Sequence, residues 1–508
     1  MRWITFAAAL ALSSPLAAQP APDGPPSAER VRRAQEAVSA IDEARLGTDA
    51  AYAGTIADHF LVLRAAAGDD PEARAALDRP IVYLLAVAGR HDAAEAAASA
   101  LIRAAPSSVE SYDVAILAAQ RGARWPRAAA IVEQAIAALP AEGRYEVLAP
   151  RIASLMQAMR VAGERGLRMQ IAEALLAAGW PGGAEAPDQA DWLHMILIDG
   201  ALQRGDVAAA RRHADAVQGI ASTLGLVTDR RYDRLHESTD RDAAVRAAIT
   251  RADRWTAERL TAAPEDVGRL VDRASFLRSV GRNTDVLDLL LPLMGDVRLV
   301  AQRHTRGLWL VNEAAFALIA TGAAGEAAEL MRPLFTMDVA DNPELVNTSI
   351  NFVGVLWQAG RSEEALQRAD TFMAEHSRFA SDYGKMWIAA NAVCAATALR
   401  RRADADAWLA RTASIGESNP SAMLQALLCR GDLGRAERVL LAALDDEAMR
   451  SSAIVWLQDF EPQPQARPAE QLREAFRRLR ARPAVAAVLA RSGHRLRLPM
   501  PAAIYGWY

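Results

Sequence analysis

Residues 88–106 read AGRHDAAEAAASALIRAAP, and residues 122–140 read GARWPRAAAIVEQAIAALP. Laid over one another at an offset of 34 residues, Arg90 falls on Arg124, Ala94 on Ala128, Ile102 on Ile136 and Pro106 on Pro140. A fixed period of this size marks stacked supersecondary units, none of which buries its apolar face without a neighbour. That narrows the fold to a repeat array before any other property is considered.

The punctuation returns as Gly-x-x-x-x-Ala from Gly89 to Ala94, Gly205 to Ala210, Gly322 to Ala327, Gly360 to Ala365 and Gly431 to Ala436. Each glycine follows an apolar helical stretch, as in FVGVLWQAG before Arg361, where a left-handed residue ends a helix. Five residues on, the alanine lies one turn inside the next helix, and its small side chain lets the two helices approach closely. The predicted unit is therefore a helical hairpin. Units centre near Gly89, Gly122, Gly163, Gly205, Asp240, Gly281, Gly322, Gly360, Arg402 and Gly431, which implies about ten hairpins.

The chain at this point resembles the tetratricopeptide repeat (TPR) family, whose pattern has a helix-ending glycine, a small alanine five residues later and a proline twelve beyond that. Ala94 with Pro106 and Ala128 with Pro140 keep this spacing, and Tyr112 matches the family's aromatic near the start of the first helix. Val82 and Ile116 depart from it, standing where a small residue is usual, and later periods lengthen to about 38 to 42 residues. The likeness covers residues 78–140 and 300–445 best. It implies an all-α fold, an α-solenoid with a concave groove lined by first helices. Counting back from Ala327, Ala365 and Ala407 puts Trp309, Asn312, Asn347, Asn351 and Asn391 at or beside the groove positions. Asparagine amides both donate and accept hydrogen bonds, which suits an extended peptide; equally, they can cap turns or pair inside the array. Arg303, Arg306 and Lys385 lie near the same helices.

At 508 residues, 52% hydrophobic, 24% charged and only 6% aromatic, the chain has the composition of a folded, helix-rich protein. A net charge of -4 provides no broad basic field for nucleic acid. MRWITFAAALALSSPLAAQP has a basic start, a short apolar core and small residues at Ala17-Ala18, a secretory signal pattern. The expected organisation is a signal peptide over 1–18, a disordered leader over 19–28, an N-terminal array over 29–180 and a C-terminal array over 188–460. AGWPGGAEAPD, residues 178–188, is either a hinge between lobes or an ordinary loop. Residues 461–468, EPQPQARP, end the array, and 461–508 comprise a linker, a helical cap and an aromatic tail with Tyr505, Trp507 and Tyr508. No later segment is apolar for long enough to span a bilayer.

Signatures of chemistry are missing. The eight histidines never form His-Glu-x-x-His, so no metal site is expected. Gly384-Lys385 is followed by Met386, not the serine or threonine of a phosphate-binding loop. There is no Gly-x-Ser-x-Gly, Cys-x-x-Cys or Ser-x-x-Lys, so no cofactor and no catalytic role are expected. Cys394 and Cys429 permit one disulfide or two buried thiols. From residue 469 onward, eight arginines face Glu470 and Glu474, a basic patch able to touch anionic lipid or an acidic partner, or simply a solvated face. The expected function is an exported, non-catalytic scaffold, periplasmic or secreted, that holds a peptide or partner helix in its groove. The alternative is an accessory subunit of a cell-envelope enzyme complex handling wall or polysaccharide.

Overall fold

The computed structural model describes residues 27–501 except 48, 69, 181–186, 237–239, 304–305, 338, 340–341, 343, 417–418 and 463–466. The signal segment, nearly all of the leader, the centre of the glycine-proline stretch, the middle of EPQPQARP and the aromatic tail lie outside the described residues. Two compact units make up the chain, Met1–Val217 and Gln218–Tyr508.

Unit 1 is helical throughout its described residues. Its helices are α1 (Ala28–Ser39), α2 (Glu43–Leu46), α3 (Ala50–Ala66), α4 (Pro71–Val87), α5 (His91–Ala104), α6 (Val109–Arg121), α7 (Trp125–Ala138), α8 (Ala141–Val161), α9 (Arg165–Ala177), α10 (Asp191–Gln203) and α11 (Val207–Ala216). From α3 to α7 each packs on the next, and α4, α6 and α8 also touch in a row. This is the neighbour pattern that helical hairpins produce.

The turns follow from local chemistry. Gly89 takes a φ of 74°, which lets Arg90 N–H donate to Leu85 C=O at 2.9 Å and satisfy a carbonyl left open at the helix end. The same six-residue closure joins Arg361 to Leu356, Ala323 to Leu318 and Asp432 to Leu427. One expectation needs correcting: Gly122 is not the left-handed residue of its unit, because its φ is -80° and Ala123 takes a φ of 52° instead. Near Arg402 the left-handed residue is Arg400, with a φ of 61°. An L-residue pays a conformational penalty there that glycine avoids, so the geometry of the hairpin overrides local preference. Past these turns Ala94, Ala128, Ala210, Ala327, Ala365 and Ala436 are all 0% exposed, as close helix contact requires.

Unit 2 contains α12 (Ile220–Thr228), a 3-10 turn (Arg230–Leu235), α13 (Arg241–Ala262), α14 (Val267–Ser279), α15 (Asn283–Leu290), α16 (Val297–Arg303), α17 (Gly307–Ala320), α18 (Ala324–Met331), α19 (Leu345–Gln358), α20 (Ser362–Thr371), α21 (Asp382–Ala398), α22 (Arg402–Ile415), α23 (Pro420–Arg430), α24 (Leu433–Asp445) and α25 (Arg450–Trp456). β1 (Asp459–Glu461), α26 (Arg467–Arg480), α27 (Pro483–Ser492) and β2 (Arg497–Pro501) complete it. The helices α14, α17, α19, α21 and α23 touch in succession, with the intervening helices packed behind them.

The ends of unit 2 meet. α12 packs against α25, Gly493 bridges Asp229, and His494 N–H donates to Thr228 C=O at 2.7 Å. β2 pairs in parallel with β1, a two-stranded element that the helical periodicity gave no sign of. Leu498 and Met500 of β2 join Leu224, Val227 and Val245 in a small separate core. α26 buries Ala469, Leu472, Phe476 and Leu479 along one stripe and packs on α19, α23 and α24, so it reaches well beyond the final hairpin.

Candidate functional site

The row α17, α19, α21 and α23 is where the groove residues were expected, and most of its surface is closed. Asn312 is 1% exposed and gives its amide N–H to Thr348 Oγ1 at 3.3 Å. Asn391 is 6% exposed and accepts from Gln425 Nε2 at 2.8 Å. Both therefore join one helix of the row to the next, and their assignment to an open groove is corrected, because side chains buried to this degree do not reach a surface where a ligand could lie. Arg278 and Glu313 extend the same seam as a buried ion pair between α14 and α17, with Nη2 to Oε1 at 3.3 Å.

Cys394 on α21 and Cys429 on α23 are bonded, with Cα atoms 5.0 Å apart and a sequence separation of 35 residues. Cys394 lies six residues before the left-handed Arg400 and Cys429 two before the left-handed Gly431, so the bond joins positions that the turn spacing does not align.

An exposed row survives. Thirteen residues before the left-handed residues Gly322, Gly360 and Arg400 stand Trp309, Asn347 and Trp387, one on each of α17, α19 and α21. Trp309 is 41% exposed, Asn347 is exposed, and Trp387 is half-buried with its ring edge-on to Tyr383 at 6.5 Å. Asn351, one turn along from Asn347, is half-buried. Tyr383 is 53% exposed, the most open large aromatic among the described residues.

Two glycines set this row. A Cβ on Gly307 would lie 2.1 Å from Val300 C=O, so glycine alone allows α17 to start against α16 and fixes where Trp309 stands. A Cβ on Gly384 would lie 2.8 Å from Ile350 Cδ1, so the start of α21 seats directly on α19 between Tyr383 and the Asn347–Asn351 turn. The flanking charges are already engaged, Arg306 with Asp272 at 3.2 Å and Lys385 with Asp382 at 3.0 Å. Arg303's side chain lies outside the described residues.

No family model and no curated protein matches this chain. Tyr383 and Trp387 were missed as site residues, although their proximity to the single lysine in an aromatic-poor chain was a usable signal. Among the described residues no group of three or more histidine, cysteine, aspartate or glutamate side chains is placed to hold a metal ion, and no helix is long and apolar enough to cross a membrane.

Proposed function

We propose that the chain is an exported, non-catalytic scaffold of TPR-like helical hairpins, stacked as a solenoid, that binds an extended peptide or partner helix along Trp309, Asn347, Tyr383 and Trp387. The observation that carries this is the register: three helices present an aromatic, an amide and an aromatic side chain at equivalent positions, partly open to solvent. Aromatic anchors contribute most of the energy at peptide and protein interfaces, and an amide between them can pair with a ligand backbone. Export is supported by the N-terminal pattern and by the Cys394–Cys429 bond, since disulfides persist in oxidising compartments.

The test is selection of the processed protein against a random peptide display library. Peptides enriched by the native chain should lose about 30-fold in affinity on Trp309→Ala, the size of one hot-spot anchor. Absence of any enriched peptide, or affinities indifferent to Trp309→Ala and Trp387→Ala, refutes the reading.

A further inference from the structure

The C-terminal arginines gather elsewhere in unit 2. Where the 3-10 turn, the start of α13, the end of α26, α27 and residues 493–496 meet, a concave pocket of about 540 Å³ opens. Five arginines line it, Arg230, Arg241, Arg477, Arg480 and Arg495, together with His494. Leu489 and Leu496 supply apolar wall, and among the described residues no carboxylate lines it.

The arginines are held in place by the fold. Arg230 Nε donates to Gly493 C=O at 3.1 Å, Arg241 Nε to Val227 C=O at 3.1 Å, and Arg480 Nη1 to Gln458 C=O at 3.0 Å. Two carboxylates support the wall from outside the lining. Asp233 accepts from Arg241 at 2.9 Å and from His494 at 2.6 Å, and Asp459 accepts from Arg495 at 2.7 and 3.0 Å and pairs with Arg480 at 2.8 Å. Arg477 pairs with Glu474 at 2.7 Å and more distantly with Glu470, both on the solvent face of its own helix, where water weakens the pairing. Arg230 also pairs with Asp233, at 3.8 Å, so four carboxylates serve the five arginines, and all four stand outside the lining, which leaves the wall of the hollow itself cationic. Each guanidinium has five N–H donors, more than the bonds above employ.

We propose that this pocket binds a small phosphorylated molecule. Guanidinium forks match phosphate oxygens, several converging forks favour a multiply charged group over a single carboxylate, and a cleft of one charge sign concentrates the opposite ion. The volume falls in the range of small-molecule sites, about 300 to 1,000 Å³, with room for a non-ionic body against Leu489 and Leu496. A free phosphorylated metabolite and a phospholipid headgroup share this chemistry. The proposal does not depend on the peptide-binding row.

Calorimetric titration of the full chain with inorganic pyrophosphate, and co-sedimentation with phosphatidylcholine vesicles with or without phosphatidylglycerol, separate the sources. Three variants are compared: Arg230→Gln and Arg477→Gln in the pocket wall, and Arg478→Gln, which removes the same charge from the exposed face of α26 outside the lining. Saturable pyrophosphate binding, weakened about tenfold or more by either pocket variant but unchanged by Arg478→Gln, supports a soluble ligand. Binding confined to phosphatidylglycerol vesicles with the same variant pattern supports a headgroup. Equal weakening by all three variants would mean overall surface charge and overturns the proposal, as does failure of the native chain to bind either probe. The Arg477→Gln melt should match the native chain, because that side chain is 61% exposed; Arg230→Gln also gives up its bond to Gly493 C=O, so its binding is compared at a temperature where its melt shows it fully folded.

Discussion

Asn391 accepts a 2.8 Å hydrogen bond from Gln425 inside the seam between α21 and α23, three residues before the disulfide that joins the same two helices. Both amides are buried. Replacing Asn391 with alanine strands the Gln425 amide away from water, at a cost of about 1 to 3 kcal/mol. Denaturant titration should register that loss, while affinity for any peptide selected through Trp309 should stay at the native value. A stable Asn391→Ala protein that no longer binds would return Asn391 to the ligand surface.

Removing the disulfide should be more damaging. Closing a loop of 35 residues restricts the unfolded chain by about 4 kcal/mol on the loop-entropy account. Native protein should therefore melt lower with reductant present, and the Cys394→Ala/Cys429→Ala variant should melt low with or without it. Identical melting of oxidised and reduced protein would show that helix packing alone fixes the seam.

Gly307→Ala tests the seat of α17. The added Cβ meets a backbone carbonyl rather than a flexible side chain, so the helix start has to move. A loss of about 1 to 3 kcal/mol or more is expected, in line with overpacking elsewhere. Fluorescence of Trp309 should shift with it. A variant of native stability would mean that α16 yields easily.

In unit 1, His194 and His213 place their Nδ1 atoms 3.2 Å apart on α10 and α11. Burial lowers both pKa values, assisted at His194 by His213 and at His213 by Arg212. Because the folded values lie below the unfolded value of about 6.5, the unfolded chain takes up protons first, and stability falls as pH drops below that point. Opening free energies of α10 and α11 amides, from hydrogen exchange, should decline between pH 7.5 and 5.5. The decline should shrink in the His194→Gln/His213→Gln variant; an undiminished decline would assign it to other groups.

The hairpin punctuation was legible because it rests on local rules: a left-handed residue, a six-residue closure and an alanine under a crossing helix. It misled where tertiary geometry overrode those rules, as at Ala123 and Arg400, which occupy a backbone region glycine was expected to claim. Asn312 and Asn391 were placed on the intended helices but on the wrong side, since the sequence does not report that neighbouring helices close over them. β2 was unreadable for a related reason. Its partner β1 is only three residues long, and the apolar alternation of Leu496, Leu498 and Met500 is interrupted by Pro499 and Pro501, residues that argue against a strand.

The meeting of α12 with α25 changes how unit 2 can come apart. A linear stack has terminal members with one neighbour fewer, and its unfolding begins by peeling from them. In unit 2 the first helix, α12, and α25, the helix that follows the hairpin row, hold one another, and β2 touches α13. Neither α12 nor α25 is a free end. The unit must first be breached, at the cost of two contacts instead of one, so a sequence built from repeats should melt as a single cooperative body.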